Sequence, residues 1–287
     1  MNHASLSIIT GAAAGLGKSF AIEAARQGYD VLLIDLPGTG LAGVAKEIAA
    51  SYAVGTAILE QDMTAENAVE KIACAAKFYP GKVAMLINNA AIGINEPFAG
   101  LSADRLQQLL LLNVVQTSLL IHKLIPLLKQ SERAHIINIA SLAASFHLPN
   151  KSAYAASKAY LRSLSLTLRG ELHSSGIMVS VACPNGILTN AMHERRYTEG
   201  SWMFKQNFLK PEVVAAEIMM KALKGKAIIV PGRFAQFIQA IASLVPMALQ
   251  LHLVQKLFGK PFAGMPAGAI PEKTNVVLPD LSNQKRA

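Results

Sequence analysis

Two cysteines in 287 residues, Cys74 and Cys183, are too few for a disulfide framework or a cysteine-ligated metal site, and a reducing compartment is the default expectation. Aromatic residues are scarce at 6% and no nucleic-acid motif occurs, so no nucleic-acid partner is expected. Charged residues make up only 16% against 52% hydrophobic, which argues against disorder and supplies a sizeable core. His122, His147, His173 and His193 lack metal-ligand spacing, and no metal is expected. The opening stretch MNHASLSIIT has no basic segment ahead of an apolar run, so no signal peptide is expected and the expected location is the cytoplasm. Mean hydropathy is high for such a protein at +0.34.

Acid is what the second half has little of. Residues 1–150 carry 10 Lys and Arg against 11 Asp and Glu, a balance of −1, whereas residues 151–287 carry 17 against 7, a balance of +10. That asymmetry fits a soluble basic surface, or contact with an acidic partner or an anionic membrane.

What is present is alternation. Ser5–Thr10 reads as a buried strand, followed by a glycine-rich turn from Gly11 to Gly17, a helical pattern to Gln27, a stop at Gly28 and an apolar strand, Val31–Asp35. Glycines in such a turn let the backbone approach a pyrophosphate at a helix N-terminus. Asp35, at the tip of the second strand, is placed to accept from both ribose hydroxyls and to repel a 2′-phosphate. No Arg or Lys occupies positions 12–16 or 36–40, so NAD is favoured over NADP. Gly17-Lys18-Ser19 resembles the end of a P-loop, but that loop requires glycine where Ala12 stands.

Residues 56–59, 83–88, 135–140, 178–182 and 227–230 read as further strands. Residues 40–51, 64–78 (with Thr64 as N-cap), 102–128, 152–174 and 211–223 read as helices. The expected class is α/β, a doubly wound parallel sheet of about seven strands with helices on both faces. Gly11, Asp35, Asp62, Asn89, Ser141 and Pro184 all follow strands and so converge on one sheet edge, where ligands bind in such folds. Asn113 lies in the apolar centre of the long helix and must find partners, because an unpaired buried amide costs ~1–3 kcal/mol. Residues 190–210 are polar, aromatic and basic, suited to a substrate lid.

The candidate chemistry centres on Ser141–Lys158, SLAASFHLPNKSAYAASK. Tyr154 and Lys158 are four residues apart, one face of a helix. A cation there favours phenolate and lowers the phenol pKa from its free value near ~10, making it a usable proton donor and acceptor. Ser141, at the end of the strand-like run HIINIAS, can donate to a substrate oxygen that gathers charge. On its own the pair leaves open a tyrosine packed under a lysine stem.

With these residues in view, the sequence resembles the short-chain dehydrogenase/reductase family. TGAAAGLG (Thr10–Gly17) matches the pattern TGxxxGxG, and Asp62, Asn88-Asn89-Ala90, Asn113, Ser141 and YAASK (Tyr154–Lys158) follow in order over about residues 5–232. The resemblance implies an oxidoreductase moving a hydride between NAD(H) and an alcohol or ketone, with a tetrad of Asn113, Ser141, Tyr154 and Lys158. It implies that Tyr154 passes the proton, that Lys158 holds the nicotinamide ribose, and that Asn113 keeps a relay water behind Lys158. It places the nucleotide against Thr10, Gly11, Ala14, Gly15, Leu16, Gly17, Asp35, Asp62, Met63, Asn89, Ala90, Tyr154, Lys158, Pro184 and Thr189, with Asp62 accepting from the adenine amino group. Two positions depart from the pattern: Ala91 stands where NNAG has glycine, and Asn185 replaces the glycine after Pro184, where asparagine tolerates positive φ. A non-catalytic NAD-binding sensor on the same fold is the alternative, and an intact tetrad argues against it. The resemblance also implies a homodimer or homotetramer.

Residues 1–232 are expected as the nucleotide-binding catalytic unit, 233–262 as an apolar helical extension and 263–287 as an extended tail. Phe234–Gln255 contains no charged residue, yet Pro246 and several glutamines break it, so two short helices fit better than a membrane span. In the first, Phe234, Phe237, Ile238, Ile241, Leu244 and Val245 share a face; in the second, Met247, Leu251, Val254 and Phe258 do. Such faces cap a substrate pocket, join subunits, or make peripheral contact with anionic lipid, helped by Arg233, Lys256 and Lys260. Together with the lid they point to a small hydrophobic substrate.

Overall fold

The structure, a computed structural model, describes residues 5–188 and 208–258. Strands β1 (Leu6–Thr10), β2 (Asp30–Asp35), β3 (Thr56–Glu60), β4 (Val83–Asn88), β5 (Ala134–Ile139) and β6 (Ile177–Ala182) are mainly apolar runs; β1, β4 and β5 are wholly buried, and β3, at the sheet edge, is half-exposed. After them come the short β7 (Gly186–Ile187), β8 (Phe208–Leu209) and β9 (Ile228–Ile229). The main sheet has seven strands in the order β3-β2-β1-β4-β5-β6-β9, and every pairing is parallel. β7 and β8 form a separate parallel pair, which brings the chain leaving at Leu188 beside the chain returning at Phe208. The expected lid, apart from its last residues, and the extended tail lie outside the described residues.

Parallel strands need crossovers, and helices supply them on both faces. Residues alternate across each strand. In β1, Ile9 faces the layer of α1 (Gly15–Arg26), α2 (Leu41–Ser51) and α7 (Pro211–Leu223), where Phe20, Val44 and Ile218 are buried. Leu6 and Ile8 face the opposite layer of α3 (Ala68–Phe78), α5 (Thr117–Leu128) and α6 (Ser152–Glu171), with Ile72, Leu120 and Leu124.

The long helix over residues 103–128 is not uniform. α4 (Ala103–Leu110) passes through a π-helical turn, Leu111–Gln116, into α5. Among the described residues this stretch is the one helix long and apolar enough to cross a membrane, but Leu109, Leu120, Ile121, Leu124 and Leu128 are buried in the two-layer core. A π turn leaves backbone carbonyls without their usual partners. Here the Thr117 hydroxyl donates to the Leu112 carbonyl at 3.0 Å and the Ser118 hydroxyl to the Val114 carbonyl at 2.7 Å.

One expectation is corrected. Thr64 does not cap a helix: α3 begins at Ala68, because the Asp62 carboxylate accepts from both the Thr64 amide (2.8 Å) and hydroxyl (2.7 Å) and holds the chain in a turn. Asn185 does not take a positive φ; among the described non-glycine residues only Asn150 does, at 64°, in the turn that feeds α6. The C-terminal stretch folds as α8 (Arg233–Leu244) and α9 (Met247–Phe258), parted at Pro246 rather than spanning as one helix.

Candidate active site

The strand order reverses between β1 and β4, which opens a crevice at the carboxyl edge of the sheet. The turn after β1 and the loop after β4 flank it, and they are laced together. The Thr10 hydroxyl accepts from the amides of Asn89 (3.0 Å) and Ala90 (3.1 Å), while the Asn89 side-chain amide donates to the carbonyls of Thr10 (3.0 Å) and Gly11 (3.1 Å). Thr10 and Asn89 therefore build the turn rather than line it. A Cβ on Gly17 would stand 1.8 Å from the Gly11 carbonyl oxygen, so only glycine lets the first turn of α1 close against β1. Gly11 and Gly15 have φ of 67° and 53°, conformations that suit glycine. Ala14 and Leu16 flank Gly15 at the start of α1, with Leu16 buried.

Asp35 closes β2 beside this turn. One carboxylate oxygen accepts the Ala13 amide at 2.7 Å and the other the Leu36 amide at 2.8 Å. This turn and carboxylate are chemically suited to a dinucleotide: a glycine cradle at a helix N-terminus for pyrophosphate, and an acceptor at the strand tip for ribose hydroxyls. Asp62 and Met63 follow β3, the first with one carboxylate oxygen, Oδ1, held by Thr64 and the second buried in the core. Thr189 lies outside the described residues.

Across the crevice stand the candidate proton-handling groups. Ser141 follows β5 and its hydroxyl accepts the Ala143 amide at 3.2 Å, opening a 3-10 turn, Leu142–Ser145. The Leu142 amide donates to the Pro184 carbonyl at 2.8 Å, which ties this turn to the loop after β6. Tyr154 and Lys158 lie on α6, with the Lys158 ammonium 5.8 Å from the Tyr154 ring centre. The Ser141 hydroxyl acts on the Tyr154 phenol, opposing the rise of its pKa.

The expected lowering of the tyrosine pKa is corrected. Burial pushes the Tyr154 phenol up, and the neighbouring Ser141 hydroxyl opposes this more weakly. Lys158 is itself fully enclosed, donates to the Ile139 carbonyl at 2.9 Å, and is pulled down to about 8 by desolvation. A buried ammonium that spends a proton on a carbonyl and lies beyond the ring does not offset the cost of burying a phenolate.

Asn113 sits in the π turn, and its side chain is fully engaged. Its oxygen accepts the Ile92 amide at 2.9 Å, and its nitrogen donates to the Ile92 carbonyl (2.9 Å) and the Ser157 hydroxyl (3.2 Å). It pins the segment after Asn89-Ala90 to α6. Ser157, which sequence reasoning passed over, also donates to the Tyr154 carbonyl at 2.7 Å. A second buried chain was missed as well. Asn88 donates to Asn138 (2.7 Å) and Asn138 to Ser165 (2.9 Å), joining β4, β5 and α6 under the site. An asparagine in the middle of the apolar run HIINIAS was the signal available. Among the described residues no cluster of His, Cys, Asp and Glu could hold a metal ion.

Known proteins resemble this chain in sequence and in fold. A family model described as short chain dehydrogenase matches residues 6–200. The very-long-chain 3-oxoacyl-CoA reductase of Aspergillus fumigatus is 30% identical over 72% of this chain and 60% of its own. The inactive hydroxysteroid dehydrogenase-like protein 1 of Homo sapiens is 31% identical over 64% of this chain and 56% of its own. The chain thus spans about three fifths of the length of these curated relatives. Among solved structures, a short chain dehydrogenase/reductase from Burkholderia phymatum in complex with NAD superposes with a TM-score of 0.75 at 24% identity, over 88% of this chain and 96% of that one. A short-chain dehydrogenase from Sphingobium yanoikuyae in complex with NADPH gives a TM-score of 0.72 at 22% identity, over 93% and 100%. Both likenesses are of fold.

Proposed function

The chain belongs to the short chain dehydrogenase family of oxidoreductases, and on that footing we propose that it interconverts a hydrophobic alcohol and its ketone with NAD(H). The observation that carries this reading is the buried Lys158 ammonium 5.8 Å from the Tyr154 ring on one face of α6, with Ser141 at the end of β5, across the crevice from the glycine turn. The Gly11–Gly17 turn and Asp35 would hold the nucleotide, which when bound would supply or accept the hydride. The preference for NAD rests on the Asp35 carboxylate, which repels a 2′-phosphate.

The chain's own groups handle the proton. Because burial keeps the Tyr154 hydroxyl protonated at neutral pH, it serves as donor to a carbonyl oxygen in the direction of reduction. Ser141 binds the same oxygen and stabilises charge that develops on it. Lys158 supplies positive charge behind the ring, and Asn113 and Ser157 fix the relative position of α6 and the Ile92 segment. A 3-oxoacyl or steroid-like ketone fits the relatives' names and the apolar C-terminal helices. We also propose a homo-oligomer through the α4–α6 side, where Leu110, Val115, Leu119 and Tyr160 are exposed.

A non-catalytic nucleotide-binding protein is the second reading, favoured by the human relative named inactive. Tyr154→Phe separates the two. The variant should bind NADH as the wild type does and lose ~10²–10⁴-fold in turnover on hydrophobic ketones. Retention of more than about a tenth of wild-type kcat would sink the catalytic assignment of Tyr154.

A further inference from the structure

The described residues expose seventeen large hydrophobic side chains, and seven of them, Phe237, Ile241, Leu244, Met247, Leu249, Leu251 and Leu253, fall within α8 and α9. Phe237, Ile241 and Leu244 follow i, i+4, i+7 spacing and so form one outward stripe on α8, with Leu244 84% exposed. The inward side of α8 is anchored. Ala235 packs in the cluster of Leu142 and Val230, the Gly232 amide donates to Glu217, and Gln236 donates to the Val230 carbonyl at 2.8 Å. α9 is fixed to α8 by Gln250, whose side-chain amide donates to the carbonyls of Ala242 (2.7 Å) and Val245 (2.8 Å). The stripe is thus held outward on a seated pair of helices, and a soluble surface seldom carries so dense an apolar patch without a use for it.

Charge selects the occupant. Between Glu217 and Glu272 the sequence has no acidic residue, and it has Lys221, Lys224, Lys226, Arg233, Lys256 and Lys260. Arg233 opens α8 and Lys256 lies near the end of α9, both exposed, at the two ends of the charge-free run. A second copy meeting this face across a two-fold axis would set the same cations against each other. An anionic bilayer meets both features, apolar contact for the stripe and opposite charge for its ends. We propose that α8 and α9 dock this protein on an anionic lipid surface, with the Phe237–Ile241–Leu244 stripe sunk at the boundary between headgroups and acyl chains. This does not depend on the reaction proposed above. Docking would bring the turn that carries Ser141 close to the membrane, because Ala235 and Leu142 share one cluster.

The test uses the full chain and sedimentation with vesicles of phosphatidylcholine alone and of phosphatidylcholine with phosphatidylserine, at low and high salt. Binding is expected on the phosphatidylserine vesicles at low salt and weaker binding on the others. The double variant Phe237→Asp, Leu244→Asp changes two exposed positions and should lower the partition coefficient at least about tenfold, with far-UV circular dichroism unchanged. Arg233→Gln with Lys256→Gln should abolish the preference for phosphatidylserine while the stripe is intact. The proposal is overturned by no binding at low salt, or by equal binding of the aspartate variant and the wild type. It is overturned equally if the aspartate variant lowers the solution mass from a multimer to a monomer and leaves vesicle binding unchanged, which would assign the face to a second copy.

Discussion

Asp35→Asn is the sharpest probe of the nucleotide preference. The carboxylate does three jobs: it accepts the Ala13 amide at 2.7 Å, which shapes the glycine turn, it accepts the exposed Leu36 amide at 2.8 Å, and it places a negative charge at the tip of β2. Asparagine keeps an acceptor oxygen for Ala13, gives up the Leu36 bond to water and removes the charge. A phosphate within ~5 Å of that carboxylate meets a repulsion of roughly 1–3 kcal/mol per pair of unit charges, for an effective dielectric between that of water and that of a protein surface. Removing it should raise kcat/KM for NADP relative to NAD by roughly 5- to 150-fold. The assay is initial-rate absorbance of the reduced nicotinamide with both cofactors and one hydrophobic ketone. Asp35→Ala is the control: it also deletes the Ala13 acceptor, so KM should rise for both nucleotides. An unchanged NADP-to-NAD ratio in Asp35→Asn would refute the charge argument, and the selectivity would then have to come from elsewhere in the turn.

Further outcomes follow from buried titratable groups. Lys158 titrates near pH 8 in the folded protein, so its charge is complete below that value and lost above it; kcat for reduction should fall as pH rises through it, and a flat profile across it would disprove the need for the cation. His135 is buried in β5 with its Nδ1 atom lacking a partner among the described residues, and burial lowers its pKa from 6.5 to about 4. The unfolded chain then binds more protons between those two values, so stability should drop by up to about 3 kcal/mol as pH falls through that window. His135→Leu should remove that share of the pH slope in urea denaturation, and an unaltered slope would contradict it. Phe20→Ala, in the layer between α1 and the sheet, should cost ~3–5 kcal/mol in the same assay at neutral pH.

What could be seen in the sequence was what local geometry fixes. The spacing of Tyr154 and Lys158 is a property of a helix, and the need for glycine at 17 is a property of a tight turn, so both were readable from a dozen residues. The strand runs were readable because parallel strands buried on both faces are continuously apolar. The failures share a different cause. The direction of the Tyr154 shift is set by burial, which no spacing reports. Thr64 looked like a cap because the competing acceptor, Asp62, was assigned to adenine. The positive φ at Asn150, in the turn that feeds α6, had no sequence signal of its own. The Asn88–Asn138–Ser165 chain spans 50 and then 27 residues of sequence, so its members appear unrelated until the sheet brings them together.

The π turn at Leu111–Gln116 has a consequence for how this protein tolerates changes in length. Such a turn holds one residue more than an α-helical turn, and each residue turns the chain by about 100°. Deleting one residue there would regularise the hydrogen bonding and let α4 and α5 run as one α-helix. It would also swing α4 around its axis, carry buried Leu109 off the core, and take the Asn113 amide away from Ile92 and Ser157. The partners of the Thr117 and Ser118 hydroxyls would vanish with the bulge. A chain one residue shorter at this point would be a better helix with a loosened join between α6 and the Ile92 segment.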